Sequence, residues 1–197
     1  MNSAESEALL HTPGHVKHDG HNLTGFIIFL CSESIIFFAF FVGYGVLKIT
    51  APTWYPDGVT GIAVREPLIN TVILVSSSFV IYFAERYLHK KNYWGFRIVW
   101  LITMLMGSYF VYGQYVEWSE LTFSLSSGVF GGLFYLLTGF HGLHVITGIL
   151  LMGLMLYRSF IPGNYDKGEM GVESISLFWH FVDVIWIILF ILIYVWQ

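Results

Sequence analysis

GVFGGLFYLLTGFHGLHVITGILLMGLMLYR, residues 128–158, holds no Asp, Glu or Lys and only one Arg, at its end. Near its middle it places two histidines, His141 and His144, three apart. As a helix rising about 1.5 Å per residue, this run would reach roughly 46 Å. That exceeds the about 30 Å of hydrocarbon in a bilayer, so the helix must tilt or push its ends into the headgroups. Ionisable side chains cost free energy inside hydrocarbon and usually face a protein interior or a cavity. The histidine pair therefore either does chemistry or holds helices together.

The rest of the chain has the same character. Its 197 residues are 56% hydrophobic, 19% aromatic and 11% charged, and the mean hydropathy is +0.68. A soluble domain carries about one quarter charged residues, so this is a membrane composition. A formal net charge of −4 argues against nucleic acid as a partner. One cysteine, Cys31, excludes an internal disulfide and a Cys-based zinc or iron–sulfur site. The first 22 residues are polar and no A-x-A-like site follows the first apolar stretch, so that stretch is expected to persist as a helix.

Five apolar segments are long enough to span hydrocarbon, near 23–47, 67–88, 95–116, 128–158 and 173–196. The expected fold is all-α, a single bundle of five transmembrane helices over 23–197. Pro67 suits a first helical turn, where its missing N–H costs nothing. A polar tail, 1–22, precedes the bundle with His11, His15, His18 and His21. Their spacing would suit metal binding only if the tail became helical, which Pro13 and Gly14 oppose. The longest loop, 49–66, carries Pro52, Trp54, Tyr55 and Pro56 and reads as an interfacial cap.

Basic residues give the orientation. Lys17, Arg86, Lys90, Lys91, Arg97, Arg158 and Lys167 fall on one side of the five spans, and only Lys48 and Arg65 on the other. The N-terminus is expected in the cytoplasm and the C-terminus on the opposite side.

Helical periodicity sorts the polar positions. In the fourth segment Gly128, Gly131, Gly132, Gly139, Gly142 and Gly153 share one arc, and Gly128 with Gly132 makes a G-x-x-x-G. Such a stripe lets another helix approach closely. His141, His144 and Gly148 lie opposite. In the fifth segment Ser176, His180, Asp183 and Tyr194 share a stripe flanked by Trp179 and Trp186. An unpaired buried carboxylate is costly, and His180 is the nearest donor to Asp183 along the helix. In the first segment Glu33 shares a face with Phe26, Phe37, Phe40 and Tyr44, where a carboxyl loses hydration.

These residues leave three readings open. Glu33, His141, His144, His180 and Asp183 could ligate a haem or metal, form a hydrogen-bonded polar seam between helices, or conduct protons. A di-iron carboxylate site would need Glu-x-x-His pairs that the chain lacks. Phosphate-binding glycine loops, nucleophile–base arrangements and zinc-protease motifs are also missing from it.

Four stretches narrow the choice: GFIIFLCSESIIFF (25–38), EPLINT (66–71), GFHGLHVITG (139–148) and FWHFVDVIW (178–186). With them the chain closely resembles subunit III of the haem–copper respiratory oxidases, which comprise cytochrome c oxidases and quinol oxidases. The resemblance covers essentially everything after the tail. It is to the five-helix form common in bacteria, without the first two helices of seven-helix members. The resemblance implies a non-catalytic subunit that carries no haem, copper or other metal, those centres belonging to its partners. It implies packing directly against subunit I, with subunit II and possibly small subunits in the same complex. There the chain would support assembly, a durable oxygen-reducing centre and proton uptake, in a bacterial cytoplasmic or other respiratory membrane. It also implies bound phospholipid in a cleft beside the first helix. Glu33 then matches the family's buried glutamate at that cleft, and Arg158 a cation for a lipid headgroup. His141, His144, His180 and Asp183 become a structural polar seam, and Gly128, Gly132, Gly139 and Gly142 packing positions. A quinol-oxidase or nitric-oxide-reductase-associated subunit is the alternative within the family, and a stand-alone membrane haem protein or carrier the alternative outside it.

Overall fold

The computed structural model describes residues 19–56, 58–165 and 169–196, apart from the side chains of 19–22. Residues 1–18 of the expected histidine tail, with Lys17, lie outside these residues, as does Lys167; the backbone of 19–22, expected in the tail, opens the first helix. Among the described residues the regular structure is entirely helical: α1 (Asp19–Thr50), α2 (Arg65–His89), α3 (Tyr93–Glu120), α4 (Gly128–Arg158) and α5 (Met170–Phe190). A π-helical turn, Ile191–Val195, continues α5. Five helices among the described residues are long and apolar enough to cross a membrane. Pro67 sits in the first turn of α2. α1 departs most from the expected bounds, opening four residues early and closing three late, and α3 runs past residue 116 to Glu120. Its polar end stays helical because Gln114 and Glu117 bond to each other and Glu117 also receives the Tyr194 hydroxyl.

α2 and α3 form a tight hairpin. Lys91 takes a left-handed φ of 54° in the turn, and the Asn92 side chain caps α3 by accepting from Gly95 N at 3.0 Å. α3 packs on α4, α4 on α5, and α5 closes back on α2, which makes a four-helix ring. α1 lies outside the ring against α4 and α5. It docks through Leu30, Phe37 and Tyr44, seven residues apart, the spacing that keeps one narrow face toward a partner. Only 11% of its apolar window is buried, against 56% for α5, so α5 is the axis of the bundle.

The indole N–H groups are what fix α5. Trp179 donates to Ser77 Oγ and Trp186 to Thr71 Oγ1, both at 2.8 Å, giving buried donors partners that hydrocarbon cannot supply. The Trp179 ring also fills a slot between two helices. A Cβ on Gly107 of α3 would come within 2.5 Å of it, and one on Gly148 of α4 within 2.9 Å. At one end of the bundle the α1–α2 loop caps the core. Trp54 packs on Tyr44 and Phe130, and Tyr55 on Phe130 with ring centroids 4.9 Å apart. Lys48 reaches the same end, where it donates to the Trp196 carbonyl.

Candidate functional site

The polar residues inside the bundle fall into separate groups. The first joins α1 to α4. Glu33 Oε2 lies 3.2 Å from His144 Nε2, and His144 Nδ1 donates to the Phe140 carbonyl at 2.8 Å. With Nδ1 carrying the proton to a carbonyl, Nε2 faces the carboxyl, so a single further proton shared between them completes the bond. Side chains of His144 and Glu33 retain 13% and 17% of their exposure. Phe37, Phe140 and Phe178 surround the imidazole, with Phe37 and Phe140 ring centroids 5.0 and 4.8 Å away.

A second group joins α2 to α5. The Ser78 hydroxyl donates to Asp183 Oδ2 and lies 2.9 Å from His180 Nδ1. Its single proton goes to the carboxylate, so it accepts from an Nδ1–H of His180. The expected direct His180–Asp183 bond is thus replaced by a serine from another helix. Positions three apart on a helix are neighbours, but Ser78 projects between the two side chains and reaches both. Asp183 Oδ1 is buried without a partner among the described residues.

His141 belongs to neither group. It is fully buried and packs edge-on to Phe110 and against the Trp186 indole, ring centroids 5.8 and 4.9 Å apart. Neither of its ring nitrogens has a hydrogen-bond partner among the described residues. Tyr194, expected beside His180 and Asp183, instead donates to Glu117 Oε1 at 2.8 Å. Ser176 Oγ is buried without a partner among the described residues. The four signature residues are therefore dispersed over three environments rather than aligned in one seam.

The glycine arc of α4 is equally mixed. Gly139 faces the Trp118 ring, 3.2 Å from an ideal Cβ, and Gly132 the Leu125 carbonyl at 3.6 Å. Gly128 and Gly142 have open space, and Gly128 serves the turn into α4 with φ 79°. No helix backbone enters the arc from within the described chain. The tightest glycine of α4 is Gly131, within the arc, where a Cβ would run into the Ser124 carbonyl of the preceding loop. Gly148, on the histidine side, is next at 2.9 Å, because the large Trp179 ring of the central helix needs that slot.

Sequence reasoning missed the partners on α2 and α3. Ser76, Ser77 and Ser78 are a polar run inside an apolar span, and that run was the available signal. Gln114 falls inside the expected third segment and Glu117 one residue past its end, and neither stands out in the sequence.

Arg158 ends α4. It donates to Asn164 Oδ1 at 3.2 Å, and Arg97 of α3 holds Ser159 beside it through Oγ at 3.1 Å and the backbone carbonyl. Tyr165, in the connection to α5, donates to the Met155 carbonyl at 2.6 Å. Burial raises the Tyr165 phenol above its ordinary value, opposed by the positive charge of Arg158 and Arg97.

Comparison with known proteins gives a consistent result. The family model described as cytochrome c oxidase subunit III matches residues 5–197. Cytochrome c oxidase subunit 3 of Thermostichus vulcanus is 43% identical over 180 residues, 91% of this chain and 89% of that protein. The subunit 3 of Synechocystis sp. is 41% identical over 189 residues, 93% of this chain and 81% of the relative. The rat subunit 3 is 37% identical over 179 residues, covering 87% and 68%.

Proposed function

The chain belongs to the cytochrome c oxidase subunit III family, the accessory subunit of haem–copper oxidases, and from that membership we propose how it serves the complex. It is a membrane protein and one component of an oxidoreductase assembly with other oxidase subunits. In our reading it packs directly on subunit I, carries no redox centre itself, supports assembly and proton uptake, and prolongs the working life of the oxygen-reducing centre. Haem and copper lie in the partner subunits.

The commitment of the interior imidazoles carries the cofactor-free reading. His144 uses both ring nitrogens, one toward Phe140 and one toward Glu33, and His180 Nδ1 is engaged by Ser78. His141 is walled by Phe110 and Trp186. A bis-histidine haem needs two imidazoles facing across a gap wide enough for the macrocycle. These three rings point into different helix pairs.

Phospholipid is the further ligand of this reading. Its chains cover the exposed apolar faces of α1, with Glu33 near the middle of that helix and Arg158 at the lipid headgroup level. The N-terminus lies in the cytoplasm, which follows from the excess of Lys and Arg on that side. The isolated chain should show no stoichiometric haem Soret band; such a band would overturn the reading. Gentle purification should recover subunits I and II with the chain, and a copper motif in subunit II would mark cytochrome c as the electron donor. Cysteine labelling at residue 60 and at residue 90 from either side of the membrane tests the orientation.

A further inference from the structure

The end of α2 and the start of α5 bring together titratable side chains remote from the groups described above. His89 closes α2, Glu169 immediately precedes α5, and Glu173 lies one helical turn further on. Five spans put all three on the same side of the membrane as the start of α1. One imidazole nitrogen and one carboxylate oxygen from each glutamate lie within 4.8 Å of one another. His89 Nδ1 approaches Glu169 Oε2 to 2.6 Å. Yet that buried oxygen receives no directed hydrogen bond among the described residues. That spacing suits a proton between the two atoms; a metal ion held by both would part them to about 3.3 Å, a shift open to the exposed His89 ring.

We propose that His89, Glu169 and Glu173 form a binding site for a borderline divalent cation, with Zn2+ the preferred ion. One imidazole and two carboxylates are ligand types that zinc accepts at about 2.0–2.2 Å, with three protein ligands leaving a further position for water. Glu169 and Glu173, four apart, present their carboxylates on one face of the first turn of α5. They repel each other until a cation lies between them. His89 is 55% exposed, so an ion can enter from water without opening the bundle. Magnesium and calcium prefer all-oxygen ligands, and the imidazole selects against both. A proton on His89 is the competing occupant, and it would reduce the cluster to a surface ion pair. The bound ion would clamp the α2–α3 turn to the start of α5, above the Trp179–Ser77 and Ser78–Asp183 contacts.

The test uses the intact oxidase complex, stripped with a chelator and equilibrated with ZnCl2 alone, with bound zinc counted against free zinc. Wild type should hold one more Zn2+ per complex than His89→Ala or Glu173→Gln, each of which should weaken that site at least about tenfold. Histidines of the tail and sites on the partner subunits contribute equally to all three samples and cancel in the difference. Glu173→Gln keeps the side-chain volume at an exposed position, and subunit content with the visible spectrum reports that the complex is intact. Zinc K-edge absorption of the extra ion should show nitrogen and oxygen neighbours only. Equal zinc counts in wild type and both variants, or a sulfur-containing shell, would overturn the proposal.

Discussion

Glu33 Oε2 on α1 and His144 Nε2 on α4 stand 3.2 Å apart, a polar tie between the outermost helix and the ring of four. Leaving either group alone in an apolar setting costs its desolvation, about 1–3 kcal/mol. His144→Leu and Glu33→Leu should each destabilise the chain by about that amount, and the double variant by less than their sum. Thermal unfolding of all four proteins in detergent measures the coupling. Strict additivity would mean that the two side chains act independently.

Ser78 serves two partners on α5, whereas its neighbour Ser76 bonds, among the described residues, to the Val72 carbonyl of its own helix. Ser78→Ala should cost about 1–3 kcal/mol by leaving Asp183 without its donor, while Ser76→Ala stays within about 0.5 kcal/mol. Both variants should leave the haem spectrum of the assembled oxidase unchanged. Equal melting temperatures for the two variants would contradict the bridging role.

Trp179 discriminates among the glycines. Gly107→Ala and Gly148→Ala place a methyl against its ring and should each cost about 1–3 kcal/mol through overpacking. Gly142→Ala meets open space in the chain and should melt at or slightly above wild type, since Ala is the better helix former by about 1 kcal/mol. If Gly142→Leu folds normally yet reduces assembled complex, the open face is where a partner subunit packs. Normal assembly would assign that face to lipid.

The Tyr165 phenol predicts an alkaline weakness. Burial raises its value in the folded chain. The stability from keeping it neutral is complete below the unfolded value of about 10 and is lost as pH rises through the raised folded value. Tyr165→Phe should lower stability by about 1 kcal/mol at pH 7, through loss of the bond to the Met155 carbonyl, and should lessen the alkaline decline. Denaturation midpoints compared below and above pH 10 test this. An unchanged alkaline decline would place the sensitive group elsewhere.

Five spans were legible in the sequence because span length and apolarity are properties of each segment alone. The same holds for the aromatic cap at Trp54 and Tyr55. Pairings between helices were less legible, since they depend on rotation and depth that no single segment encodes. Asp183 illustrates the limit. Its helical neighbour His180 was the nearest donor in sequence, and Ser78, 105 residues away, holds the carboxylate. The glycine arc of α4 holds one tight position, Gly131 against the Ser124 carbonyl, and misses the other. Gly148 is tight because an indole arrives from another helix, and nothing in the local pattern announces it. The proposed cation site is not legible in the sequence because His89 and Glu169 are far apart along the chain and fall in polar ends.

The position of α1 has a consequence for the order of synthesis. This helix enters the membrane first, yet its docking face meets α4 and α5, and Lys48 closes onto the carbonyl of Trp196. Phe37 therefore gains the Phe140 and His144 rings only with the fourth span, and the Phe181 ring only with the last. α2 likewise obtains the interhelical partners of Thr71, Ser77 and Ser78 from α5. The ribosome thus delivers an incomplete bundle until the final segment arrives, and a chain truncated before residue 170 keeps the Glu33–His144 tie but loses every contact of its first helix with α5 and the Lys48–Trp196 bond.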